Sequence, residues 1–348
     1  MRVIQWATGS VGRTTLRRVI EHPDLELVGL YVTNPKKVGL DAGDIAKKSK
    51  TGIIATNKIE DILAIDADVV IHVPLISVPY ETQNSDVIRL LASGKNVIST
   101  NGFYRPAIHG EAYSAPLLAA AMKGGATLAG SGLNPGVIAE RLALTLSAMM
   151  SRLDQIRTTE IFDASQSDSP GLLFDAMGFG TDPKKEDLTK GPIARMYDQY
   201  YSEVFHYMAD KMLTEVTSIE TAHELTLAPK TIEMKAGTIP AGCVAATTWN
   251  WTGTFKNGST MKHKILWTSS HALHGEGADA HWLVELDGRP NIKATLSLED
   301  PDPKAPPSRP PMDATAAVVL NLIPSVVAAP PGFFDLPTLT PYQTPRTR

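Results

Sequence analysis

Apolar residues in the first third of the chain fall in short runs with no polar alternation. Arg2–Ala7, Leu25–Val32, Asp68–Val73, Asn96–Thr100 and Ala126–Gly130 each carry apolar side chains at odd and even positions alike. That is the signature of parallel strands covered on both faces. Between the runs the apolar spacing changes to a helical period. The predicted helices run from Ser10 to His22-Pro23, from Tyr80 to Ser93 with Gly94 as C-terminal cap, from Glu111 to Met122, and from Gly136 to Met150. Strand and helix in alternation predict a doubly wound α/β domain over residues 1–150, joined by right-handed crossovers.

Beyond residue 150 the pattern changes. Gln155–Phe162 is strand-like, and Ile193–Leu213 has a long helical period. From Cys243 onward apolar and polar positions alternate: Cys243–Phe255, a Lys256–Ser259 turn, Met261–Thr268, Ala280–Leu286, a turn at Asp287-Gly288, and Ile292–Leu298. Asn-Gly and Asp-Gly pairs between such runs mark hairpins. Residues 151–300 are therefore expected to form an α+β domain with a mostly antiparallel sheet. A proline-rich linker is expected over 301–312, then an Ala314–Ala329 helix that returns, with the tail 313–348, to the first domain.

Composition narrows the class. With 348 residues and 43% hydrophobic content, two well-packed domains are expected. A net charge of −4 leaves no basic field for nucleic acid or an anionic membrane. Cys243 is the one cysteine, so no internal disulfide forms, and it reads as a small buried hydrophobe. The apolar stretch Ala314–Pro331 is interrupted by Asn321 and Pro324 and reads as a buried helix rather than a span. Arg2 leads straight into a strand with no apolar leader, so a soluble, cytoplasmic protein is expected.

The chemistry begins at the first strand-to-helix turn, Thr8-Gly9-Ser10-Val11-Gly12-Arg13. Here Gly9 is expected to allow a sharp turn and Gly12 to allow close approach to a bulky anion. The helix then aims unpaired N–H groups and its positive dipole end at the same point, which suits a pyrophosphate. This is the dinucleotide-binding pattern with G-x-x-G in place of G-x-G-x-x-G. The second strand ends in Thr33-Asn34-Pro35-Lys36-Lys37 with no acid before Asp41. An acid there would bind a ribose 2′-hydroxyl. Asn34, Lys36, Lys37 and Arg13 instead favour the 2′-phosphate of NADP, with NAD as the alternative. His72 and Pro74, Thr100 and Asn101, and Asn134 sit at the ends of later strands, where a doubly wound sheet forms its crevice. Asn134-Pro135-Gly136 reads equally as a helix cap with proline in the first turn.

Three segments resemble one family: Ile4–Val32, the Gly130–Gly136 loop, and Asn321–Gly332. It is the dihydrodipicolinate-reductase-like superfamily, in its 2,4-diaminopentanoate dehydrogenase and native amine dehydrogenase branch. The resemblance implies a Rossmann domain, a nicotinamide cofactor, interconversion of an amine and a carbonyl compound through an imine, and a dimer with its active site between domains. Two departures stand out. Asp163–Pro170 has neither the histidines nor the lysine of true dihydrodipicolinate reductases, and Asn101–Pro106 lacks the glutamate of the amine dehydrogenases.

Hydride transfer needs geometry and one proton. Tyr104, His109, Asp163 and His72 are the donor candidates, each also readable as packing or capping; His72 on a buried strand reads as a core histidine. His263, His271, His274 and His281 lack the spacing of a zinc site, so no metal is expected. Trp249 and Trp251 share a strand face. The run Tyr197, Tyr200, Tyr201, Phe205, Tyr207 walls an apolar pocket or faces a partner subunit. The expected function is an NADP-preferring oxidoreductase acting on a small imine, amine or carbonyl substrate. A carbonyl or alcohol dehydrogenase and a non-catalytic NAD(P)-binding protein are the alternatives.

Overall fold

A computed structural model describes residues 1–167, 169–273, 282–306 and 308–345. The chain divides into two compact units, Met1–Gly136 with Met312–Leu336, and Val137–Pro311 with Pro337–Arg348.

The first unit is built on a six-stranded parallel sheet. Its strands are β1 (Arg2–Trp6), β2 (Glu26–Tyr31), β3 (Val69–His72), β4 (Asn96–Ser99), β5 (Thr127–Gly130) and β15 (Gly332–Phe333), in the order β15-β5-β4-β3-β1-β2. The order reverses between β1 and β3, so the crevice of this doubly wound sheet opens beyond their carboxyl ends. Helices α1 (Ser10–Glu21), α2 (Ala42–Ala46), α3 (Ile59–Leu63), α4 (Asn84–Ala92) and α5 (Glu111–Gly124) fill the crossovers. Two apolar clusters cover the sheet. Leu16 of α1 packs with Leu30, Val32, Ala42 and Ala46 in one. In the other, Ile4 and Trp6 of β1 join Ile62, Val87, Leu90 and Leu117 from α3, α4 and α5. The last helix, α8 (Arg309–Val327), buries Ala316, Val319, Ile323 and Val326 at helical spacing. By length and composition alone it is also apolar enough to cross a membrane. It begins inside the expected linker, because Pro310 and Pro311 fall in its first turn, where proline is tolerated.

The expected Gly136–Met150 helix is shortened to residues 138–147. A π-helical turn at Ile138–Leu142 precedes α6 (Ala143–Ser147), and Asn134-Pro135-Gly136 caps no helix. Gly136 has φ +122, and a Cβ there would lie 2.5 Å from the Gly132 carbonyl oxygen. The loop is folded too tightly on itself to start a helix.

The second unit holds a seven-stranded sheet of β6 (Arg152–Asp163), β7 (Val216–Thr221), β8 (Glu224–Leu227), β11 (Val244–Phe255), β12 (Thr260–Thr268), β13 (Trp282–Arg289) and β14 (Ile292–Leu296). The order is β14-β13-β6-β12-β11-β7, with β8 also on β11. Only the β6–β12 pairing is parallel among these described strands. A small hairpin joins β9 (Ile232–Met234) to β10 (Gly237–Ile239). Helix α7 (Pro192–Lys211) lies on the sheet with Tyr197 against Trp249 and Trp267, and Tyr201 against Trp251. Phe205 occupies the space over Gly253 that a Cβ would need.

The hairpin turn expected at Asp287-Gly288 moves to Pro290-Asn291. Gly288 is instead a bulge in β13 against β6, where a Cβ would lie 2.0 Å from the Arg152 carbonyl oxygen. Cys243 is half-buried just before β11 rather than fully buried. Ala280, His274 and His281 lie outside the described residues.

Candidate functional site

The turn after β1 is shaped from within. Ala7 has φ +74, the left-handed region, and so takes the first glycine's place in the dinucleotide pattern. The motif is Ala7-x-Gly9-x-x-Gly12, and the sharp turn expected at Gly9 falls at Ala7 instead. A Cβ on Gly12 would lie 2.4 Å from the Ala7 carbonyl oxygen, so Gly12 is what lets α1 pack against the turn. Gly9 has φ −68, and a Cβ there would meet nothing within 4 Å. Close approach by a ligand is therefore possible at Gly9.

Gln5 was not singled out in the sequence, although an amide inside an apolar strand is a signal. It is fully buried, donates to the Ala7 carbonyl at 3.0 Å, and accepts from the Thr15 hydroxyl at 2.9 Å. Strand, turn and helix are thereby fastened together. No side chain caps α1, and no acid occupies its first turn. The N–H groups of Ser10, Val11 and Gly12 have no intrahelical acceptor and point, with the dipole, at the space beside Gly9.

The end of β2 reaches this turn. The Lys37 ammonium donates to the Thr8 carbonyl at 2.7 Å and to the Thr8 hydroxyl at 2.9 Å. Partial burial, then the Arg13 charge, lowers the Lys37 pKa. Arg13 and Lys37 thus stand as two cations beside the turn. Asn34 is occupied locally, accepting from the Lys36 N–H at 3.0 Å to cap a 3-10 turn over Pro35–Lys37. Tyr31 stacks on Trp6 at 3.7 Å between ring centroids.

The ends of β3 and β4 are tied by buried polar contacts. His72 Nδ1 lies 2.9 Å from the Ser99 hydroxyl, and full burial lowers its pKa to about 3, so it stays neutral. Asn101 donates to the Pro74 carbonyl at 3.1 Å, and its own carbonyl accepts from Gln83 at 2.9 Å and Tyr80 at 3.3 Å. The Thr100 hydroxyl lies 3.5 Å from the Asn101 side chain. A Cβ on Gly130, the last residue of β5, would lie 2.3 Å from the Gly102 carbonyl oxygen, so the loop after β4 meets the start of the loop after β5 here. The Ser131 hydroxyl in this loop is fully buried with no hydrogen-bond partner among the described residues. Asn134 follows in the same loop.

The structure thus gathers Thr8 to Arg13 with Lys37 at one point of the sheet edge, and His72, Pro74, Thr100 and Asn101 at the neighbouring strand ends. Tyr104 is buried and donates to the Pro135 carbonyl at 2.8 Å. His109 packs edge-on to Tyr80 at 5.4 Å and lies 4.8 Å from Tyr113. Asp163 belongs to the second unit, where it faces His271 Nε2 at 3.3 Å and accepts from the Ser165 N–H. His263 is buried on β12, 2.5 Å from the Thr158 hydroxyl through Nδ1.

Known proteins share this construction. Residues 3–108 match the family described as dihydrodipicolinate reductase, N-terminus, and residues 137–345 match the 2,4-diaminopentanoate dehydrogenase C-terminal domain. An amine dehydrogenase of Streptomyces virginiae is 29% identical over 344 residues, spanning 95% of this chain and 94% of that protein. The structure of an amine dehydrogenase from Mycobacterium smegmatis superposes with a TM-score of 0.79 at 20% identity, covering 100% of this chain and 97% of that one. GenD2 from gentamicin A biosynthesis, in complex with NAD, matches with a TM-score of 0.56 at 15% identity over 94% of this chain and 86% of its own. The chain therefore belongs to the 2,4-diaminopentanoate dehydrogenase C-terminal domain family and is an NAD(P)-dependent oxidoreductase.

Proposed function

We propose that the protein is an NADP-preferring amine dehydrogenase that interconverts a small amine and its carbonyl counterpart. The observation that carries the cofactor half is the uncapped start of α1 facing open space at Gly9, with Arg13 and Lys37 beside it and no carboxylate closing β2. The N–H groups of Ser10, Val11 and Gly12 bind the pyrophosphate. Lys37 has three donors and uses two on Thr8, which leaves one for a 2′-phosphate, and Arg13 supplies a second cation. Asn134 and the buried Ser131 hydroxyl line the carboxamide side. The nicotinamide, when bound, supplies the hydride chemistry.

The amine half is supported by the relationship to the Streptomyces enzyme along almost the whole chain. Proton handling is assigned to the set Tyr104, His109 and Asp163. The enzyme is read as a cytoplasmic homodimer, a state that light scattering checks directly. NADPH oxidation assayed with a panel of small ketones and aldehydes tests the reading: ammonia-dependent turnover is expected, faster with NADPH than with NADH. Turnover that ignores ammonia would favour the second reading, a carbonyl reductase, to which the absence of a carboxylate in Asn101–Pro106 already points.

A further inference from the structure

Two carbonyls in the turn after β1 are pinned, and each sets the direction of the N–H group on the far side of its peptide. The Ala7-Thr8 peptide is trans, so its C=O and N–H point in opposite directions. The Ala7 carbonyl accepts from the Gln5 amide at 3.0 Å and lies against the Gly12 α-carbon, where a Cβ would be 2.4 Å away. The Thr8 N–H therefore faces away from Gln5 and Gly12. The Thr8 carbonyl accepts from Lys37 at 2.7 Å, which in the same way turns the Gly9 N–H away from Lys37. Neither N–H has an acceptor among the described residues. Both extend, outside the helix, the run of unpaired donors that Ser10, Val11 and Gly12 form at the start of α1.

A second observation concerns Gln5 itself. It is fully buried on β1 among the buried apolar residues Val3, Ile4 and Trp6, a position that packing alone would fill with an aliphatic side chain. A backbone carbonyl can only accept, so the amide nitrogen must face Ala7, and the amide oxygen is left for the Thr15 hydroxyl at 2.9 Å. Ala7 at φ +74 needs such a hold, since a residue with a Cβ stays in the left-handed region only where its surroundings impose it.

We propose that Gln5 is a positioning residue for the cofactor: by holding the Ala7 carbonyl inward, it presents the Thr8 N–H to the pyrophosphate. The proposal rests on the cofactor half of the function above and adds to it a donor that lies outside α1. Gln5 touches no ligand and acts through the backbone. The pyrophosphate is common to both nicotinamide cofactors, so Gln5 serves NADPH and NADH alike, whereas Arg13 and Lys37 act on the 2′-phosphate.

The test is calorimetric titration of the full-length protein with NADPH and with NADH, beside the Tm of each variant. Gln5→Met keeps the length of the side chain and removes its donor, and should raise the Kd of both cofactors by the same factor, about tenfold. Adding Ala7→Gly to that variant removes the strain of a left-handed alanine and should recover about threefold or more of the lost affinity. Thr15→Val removes only the anchor of the amide and should raise both Kd values about threefold; it stands in if Gln5→Met does not fold. A merely structural glutamine would lower the Tm and leave both Kd values within about twofold of wild type, which would overturn the proposal. A loss confined to NADPH, or one that Ala7→Gly does not recover, would overturn it too. Wild type that binds NADH more tightly than NADPH, with Gln5→Met weakening both, would retire the NADP preference and leave the role of Gln5 standing. Wild type that prefers NADPH, with unaltered binding in Gln5→Met, would do the reverse.

Discussion

Gly9 and Gly12 occupy one turn and look alike in the sequence, yet the structure demands opposite consequences from replacing them with alanine. At Gly12 the added methyl would sit 2.4 Å from the Ala7 carbonyl oxygen and 2.9 Å from its carbonyl carbon, both backbone atoms. Real Cβ atoms essentially never come within 3.0 Å, so α1 or the turn must withdraw by at least 0.6 Å. The turn has little freedom to yield, because Gln5 bonds that same carbonyl from the other side and is itself held by Thr15. Overpacking costs about 1–3 kcal/mol, and against backbone that cannot swing aside about 2–3 kcal/mol, partly offset by about 1 kcal/mol of helix propensity gained on replacing glycine. The net loss, about 1–2 kcal/mol, corresponds to a fall in Tm of roughly 2–8 °C. At Gly9 the methyl meets nothing, so stability should hold within about 0.5 kcal/mol. That methyl would instead stand where a pyrophosphate approaches the backbone, and NADPH affinity should fall about tenfold or more. Differential scanning calorimetry of the apo proteins and titration with NADPH separate the two effects. A Gly12→Ala protein that melts with wild type, or a Gly9→Ala protein that binds NADPH with wild-type affinity, would refute the assignment of roles.

Three further outcomes are expected. Arg13→Ala should lower kcat/KM for NADPH about tenfold and leave NADH within about twofold, since a charge-assisted phosphate contact is worth about 1.5–3 kcal/mol; steady-state kinetics with both cofactors decides. His72 and His263 are buried with pKa values lowered to about 3, so the unfolded chain binds protons at acid pH that the folded chain refuses. The stability they contribute is complete above pH 6.5 and is lost as pH falls toward 3, at about 1.4 kcal/mol per pH unit for each. Urea midpoints between pH 4 and 7 should show this slope, and His72→Asn should flatten it by one proton. Asp198 of α7 accepts from the Trp251 indole at 2.7 Å and from His223 Nε2 at 2.9 Å, so it pins the helix to β11 and the β7–β8 turn. Asp198→Ala should cost about 1–3 kcal/mol and lower the Tm without changing cofactor affinity.

How much of this was legible along the chain depends on how local the signal is. Periodicity and glycine spacing reveal both the parallel and the antiparallel parts, because the apolar faces of strands and helices repeat at fixed periods whatever they pack against. The proline-laden start of α8 read as a linker, since composition does not tell a first helical turn from extended chain. The Asp287-Gly288 pair read as a turn because a bulge and a turn both place glycine at φ > 0.

The sequence alone determined the alternation of strand and helix in the first unit, the glycine-bearing turn at Thr8–Arg13 and the lack of an acid closing the second strand, all of them properties of neighbouring residues. Tertiary structure alone decided that Ala7 takes the first glycine's place, that Gly12 packs on the Ala7 carbonyl while the space over Gly9 is open, and that Lys37 folds back onto Thr8. It also decided that Trp267 and Trp282, 107 and 122 residues away in the chain, both donate to Glu160. These depend on which backbone atoms and side chains the fold brings within a few ångströms of one another, and no local pattern records that.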